Sequence, residues 1–94
     1  MDELNLALKI VKTEKGSYKN WIWHEISMEE YGTIVLNEIK SNSPDLDILD
    51  IGYGWGTISI AAHLMCNNVT SLSVLNQTLF VFPKAVYLYL LLDY

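Results

Sequence analysis

Leu49-Asp50-Ile51-Gly52-Tyr53-Gly54-Trp55-Gly56 decides the fold of this 94-residue chain: an apolar run carrying an acid, then three glycines on alternate positions. Alternate glycines let the backbone turn tightly and let a ligand approach main-chain atoms without interference from a Cβ. Residues 46–51, bounded by Pro44 and the glycines, predict a strand buried on both faces. After Gly56, the spacing of Ile58, Ala61, Ala62 and Met65 predicts a helix that starts inside the turn. Such a helix aims its free amides and positive dipole end at whatever occupies the turn, most often an anionic group.

Downstream, Asn67-Asn68 breaks the helix and residues 69–75 (VTSLSVL) read as a second strand. Strand, glycine turn, helix and strand in that order open a parallel α/β sheet. Residues 79–93 are nearly all apolar or aromatic. At about 15 residues the run falls short of the ~20 that span a bilayer, so a buried helix and no transmembrane segment are expected, with a third strand as the alternative if part of 79–94 is extended. Upstream, residues 2–12 place Leu4, Leu8 and Val11 on one face, with Asp2 and Glu3 in the first turn. Residues 13–17, with Gly16, are expected to end that helix, and residues 18–26 fix neither helix nor strand. Ser27-Met28-Glu29-Glu30 reads as a capping box opening a helix over 28–40, with Met28, Tyr31, Val35 and Ile39 as its buried stripe. The chain divides into an N-terminal helical segment, 1–44, and an α/β unit, 45–94.

Six lysines, no arginine and eleven acids give a net charge of −5, which leaves no basic surface for nucleic acid. One cysteine excludes a disulfide framework and any thiolate zinc site built from this chain alone. Asp2 and Glu3 stand where a secretory signal needs positive charge, so a reducing, cytoplasmic setting is expected. Fifteen of the seventeen charged residues lie in 1–50, and only Lys84 and Asp93 follow. A chain so lopsided is expected to be a truncated domain, or to self-associate through residues 79–92.

The glycine turn departs from two familiar ligand loops. Thr57 occupies the place where a dinucleotide fingerprint has its third glycine, and no acid for a ribose occurs between Asp50 and Asp93. No Gly-Lys-Ser/Thr follows, which excludes a Walker loop. The octapeptide instead resembles the first motif of class I S-adenosylmethionine-dependent methyltransferases. Its Gly-Trp-Gly ending and Val69-Thr70-Ser71-Leu72-Ser73 are similar to one branch, the cyclopropane-fatty-acid synthases and plant alkaloid N-methyltransferases. That branch commonly reads L-D-I-G-C-G-W-G, then V-T-G-(V/L)-T-L-S-x-x-Q.

The resemblance covers residues 46–77 and implies a partial Rossmann-like fold with S-adenosyl-L-methionine as cofactor. It implies that Gly52, Gly54 and Gly56 line the methionyl end of the cofactor, with Asp50 ordering the turn. Ser73 and Val74 would stand near the ribose, and Gln77 or Thr78 would take the place of the branch's glutamine. Tyr53 replaces the usual cysteine, and the loop before the second strand is shorter. The implied reaction is methyl transfer to a small-molecule or lipid acceptor. A full domain of this class needs roughly 150–250 residues. Acceptor and base come from later strands, so no catalytic base is assigned, and weak cofactor binding without turnover is expected of the isolated chain.

Two other readings stay open: a nucleotide binder of another Rossmann type, and a non-catalytic interaction protein whose glycine turn is only a tight connection. Trp55 is expected to be a packing residue, and Gln77 is either a ribose partner or an ordinary loop amide. His63 and Cys66 are expected to be a solvent-facing imidazole and a packed thiol. Trp23-His24-Glu25, on an extended chain, would point to opposite faces and form no acid–base pair.

Overall fold

The computed structural model describes residues 2–51, 54–72 and 79–82. Helix α1 (Asp2–Lys15) has Asp2 and Glu3 in its first turn and Lys12 and Lys15 in its last, the sense that the helix dipole favours. Leu4, Leu8 and Val11 form its buried face as the spacing predicts, joined by Ala7. The helix runs past residue 12 to Lys15, and the Gly16 amide donates to the Lys12 carbonyl at 2.9 Å.

The next helical stretch departs from the sequence reading. Helix α2 (Trp21–Ser27) passes through a π-helical turn (Met28–Gly32) into α3 (Thr33–Asn42). Ser27 has helical dihedrals (φ −60°, ψ −41°) and makes no side-chain capping bond, so the expected capping box does not form. Trp21 is the reason: it is buried in the core, and the helix that carries it starts before Ser27. The wide turn also shifts the buried stripe. Tyr31 and Val35 are exposed, whereas Gly32 and Leu36 are buried with Met28 and Ile39 packed beside them. An i→i+5 turn advances each residue by less than the ~100° of an α-helix, so the buried positions follow Met28, Gly32 and Leu36 at successive fours. The Thr33 hydroxyl donates to the Glu29 carbonyl at 2.8 Å, satisfying an acceptor within the turn.

Strands β1 (Asp47–Ile51) and β2 (Asn68–Leu72) pair in parallel through α4 (Thr57–Leu64), with Ile48 opposite Val69 and Asp50 opposite Ser71. This α/β arrangement agrees with the reading of the glycine turn. The expected buried helix over 79–93 is corrected at its start. Leu79–Phe82 is a third strand, β3, antiparallel to β2, giving the order β1-β2-β3. A β-branched and aromatic run can complete β2's hydrogen bonding, which a helix there could not. The remainder of that run lies outside the described residues, as do 73–75 of the second strand.

Burial of β1 on both faces is also corrected. Asp47, Leu49 and Ile51 are exposed and only Ile48 and Asp50 are half-buried, because among the described residues the helices cover one side of the strand. The main core joins α1, α2, α3 and α4 through Leu8, Val11, Trp21, Leu36, Trp55 and Ile60. Asn67, fully buried, ties the start of β1 to the end of α4. It accepts from the Leu46 amide at 2.9 Å and donates to Ser43 Oγ at 2.8 Å and the Ala62 carbonyl at 3.0 Å. No described helix is long and apolar enough to cross a membrane.

Candidate functional site

The turn between β1 and α4 is built on left-handed backbone. Gly54 has φ 62° and Gly56, the N-cap of α4, has φ 86°. A residue with a Cβ is disfavoured at both, so these glycines are required by the chain path itself. Gly56 is buried, and its carbonyl accepts the Ile60 amide at 2.9 Å, closing the first turn of α4.

Beside this turn lies a cavity of about 460 Å³. One side comes from the α/β unit, through Asp50, Gly54, Trp55, Thr57 and Ile58. The other comes from α2 and its flanks, through Asn20, Trp23, His24, Ser27 and Met28. Of the expected cofactor residues, Asp50 and Gly54 line this cavity, whereas Gly56 is buried behind it as the N-cap of α4. Gly52, Ser73, Val74 and Gln77 lie outside the described residues.

Asp50 is held from behind. Its Oδ2 accepts from Ser59 Oγ at 2.7 Å, and Ser59 Oγ lies 2.5 Å from Ser71 Oγ. A hydroxyl has one proton, so with Ser59 donating to the carboxylate, Ser71 donates to Ser59. The parallel register puts Asp50 beside Ser71, and α4 lays Ser59 across both. Burial raises the Asp50 pKa above its ordinary value, and the Ser59 hydrogen bond opposes that shift. The result is a poorly solvated carboxyl on the wall of a cavity.

His24 is the residue that sequence reasoning missed. The stretch Trp23-His24-Glu25 is helical rather than extended, and the helix turns His24 inward. Its Nε2 lies 2.7 Å from Thr57 Oγ1, and its ring is 4.7 Å from that of Trp55 at 47°. Thr57 is 33 positions away and Trp55 lies just before it, so no local spacing could reveal them. Trp55 does pack, as expected: its ring stands 6.0 Å from Trp21, nearly parallel at 3°, and 5.9 Å from Tyr18, edge on at 83°. It also lines the cavity.

The expectation for His63 and Cys66 is reversed, with Cys66 exposed and His63 half-buried. Cys66 lies beyond the end of α4 with φ 66°, which turns it off the helix face that its spacing from His63 assumes.

Desolvation lowers the His24 pKa below its ordinary 6.5, with Glu25 opposing the shift. The unfolded chain therefore binds a proton that the folded chain resists. His24 contributes its full stability above the unfolded value and loses that contribution as pH falls through the folded one. Asp50, shifted upward, acts in the opposite sense and in the carboxylate range. The urea midpoint should fall as pH drops from 7 towards 5, and His24→Gln should flatten that slope. Equal slopes in the parent and the variant would show that the imidazole is not held neutral by the fold. No known family model, no curated protein and no solved structure matches the chain.

Proposed function

We propose that the chain carries the cofactor-binding βαβ unit of a class I methyltransferase and binds S-adenosylmethionine at the glycine turn, for methyl transfer to a small-molecule or lipid acceptor. One observation carries the reading. The cavity opens where the carboxyl end of β1 meets the amino end of α4, with the left-handed Gly54 and the half-buried Asp50 both on its wall. Ligands of open α/β sheets bind at that edge. The volume falls within the roughly 300–1,000 Å³ of small-molecule sites.

The residues present suit the cofactor's charges. Asp50 offers a counter-charge to its cationic end, and the amino end of α4, at Thr57, offers free amides to its carboxylate. Gly54 leaves the backbone open to close approach. When bound, the cofactor supplies a methyl group already activated on a sulfonium, so the protein's task is to align the acceptor and exclude water. Trp23, Met28, Trp55 and Ile58 give the cavity apolar walls suited to excluding water. His24, kept neutral by burial, puts a proton-accepting imidazole on the same wall.

Isothermal titration of the full chain against S-adenosylmethionine and NAD tests the reading. Single-site binding of S-adenosylmethionine with no heat from NAD is expected. Preference for NAD would assign another nucleotide-binding class, and binding of neither would reduce the turn to a connection.

A further inference from the structure

The helical stretch from α2 to α3 buries one face and leaves a second apolar face outward. Ile22, Trp23, Ile26, Tyr31, Ile34 and Val35 are exposed by between 40% and 70%. The π turn creates this alignment. In a continuous α-helix, Ile34 would sit about 80° round from Ile26 at ~100° per residue, and the smaller advance through Met28–Gly32 brings it back into line. These six side chains expose on the order of 700 Å², above the ~300–600 Å² of the largest patch on a typical monomer. That approaches the ~800 Å² each partner buries in a stable interface.

The order of residues on this face is symmetric. About the point between Met28 and Glu29, Ile22 mirrors Val35, Trp23 mirrors Ile34 and Ile26 mirrors Tyr31. Lys19, in the turn that leads into α2, has the same sequence offset from that point as Glu38 on α3, and both are exposed. We propose that this face pairs with the same face of a second copy of the chain, antiparallel, about a two-fold axis at the π turn. A two-fold interface must be self-complementary, and this arrangement sets each apolar residue against an apolar residue of the other copy. It also sets Lys19 against Glu38 at both ends.

Charge argues against a lipid surface as the occupant. Glu25, Glu29, Glu30 and Glu38 lie along the stretch against Lys19 and Lys40, and an interfacial helix that binds anionic lipid needs the opposite balance. Trp23 and Ser27 also line the cavity, so the second copy lies along its rim.

Sedimentation equilibrium of the full chain tests the pairing. A monomer–dimer equilibrium is expected. Ile34→Glu should weaken it by about tenfold or more, with far-UV circular dichroism unchanged because Ile34 is exposed. Glu38→Lys alone should weaken the dimer by about two- to fivefold, and adding Lys19→Glu should restore it. The restoration separates this face from general stickiness, which no exchange of charges repairs. A monomer at all concentrations, association indifferent to Ile34→Glu, or a double variant no better than the single one would overturn the proposal. So would an Ile34-dependent attachment to anionic phospholipid vesicles by a chain that is monomeric in solution.

Discussion

Trp55→Ala is expected to remove a large share of the stability of the fold. Its indole is the meeting point of Tyr18, Trp21 and His24, three residues from the helical half packed on one from the glycine turn. Truncating a buried aromatic costs about 3–5 kcal/mol through lost transfer energy and the cavity left behind. A chain of this size has a total stability of roughly 5–14 kcal/mol at about 0.05–0.15 kcal/mol per residue, so the loss is a large share of the whole. The space cannot close easily, because Trp21 and His24 are held by the helix they share and Thr57 by the start of α4. Urea unfolding followed by near-ultraviolet circular dichroism reads the effect. Trp55→Phe should recover part of it by keeping a ring against Trp21. A loss under about 1 kcal/mol for the alanine variant would show that the aromatic cluster does not join the two halves.

What could be read from the sequence divides along physical lines. The parallel pair around α4 was legible because its signals are local: a short apolar run, glycines that the chain needs at positive φ, and a helical spacing after them. α1 was legible for the same reason, since one apolar stripe and oriented charges specify it. The π turn was not. Ser27 to Glu30 satisfies the pattern of a helix start, but burial of Trp21 overrides a local signal worth about 1 kcal/mol. Periodicity then failed downstream, because a stripe counted at 3.6 residues per turn assigns Tyr31 and Val35 to the core and the wide turn delivers Gly32 and Leu36 instead. β3 was hidden by composition, since an unbroken apolar run does not separate a strand from a buried helix.

The candidate site shows the same division. Asp50 and Gly54 share a sequence neighbourhood and were found together, whereas His24, Trp23 and Ser27 reach the cavity only through the packing of α2 on α4. The Ser59 and Ser71 hydroxyls that hold Asp50 belong to a helix and a strand whose spacings say nothing about hydrogen bonds.

Gly54→Val should abolish S-adenosylmethionine binding while leaving the helical half folded. At φ 62° a β-branched residue is strongly disfavoured, and holding it there costs on the order of 1–3 kcal/mol. The chain can escape the strain only by moving the turn, which displaces the backbone that a ligand would approach. If the turn holds instead, the valine side chain projects from a backbone position on the cavity wall. Either outcome removes the cradle. Gly54 itself adds no side chain to the core of Leu8, Val11, Trp21, Leu36, Trp55 and Ile60, so the helical half stays folded where the turn yields without displacing Trp55 and α4. Far-ultraviolet circular dichroism should therefore retain the helical signal while titration calorimetry loses the binding heat. Gly54→Ala separates the two causes, since alanine meets much of the same backbone strain with far less bulk. An alanine variant that binds weakly beside a valine variant that does not bind assigns the larger effect to occupied space. Two equally inactive variants assign it to the left-handed backbone. A valine variant that binds like the parent would place the ligand away from the glycine turn altogether.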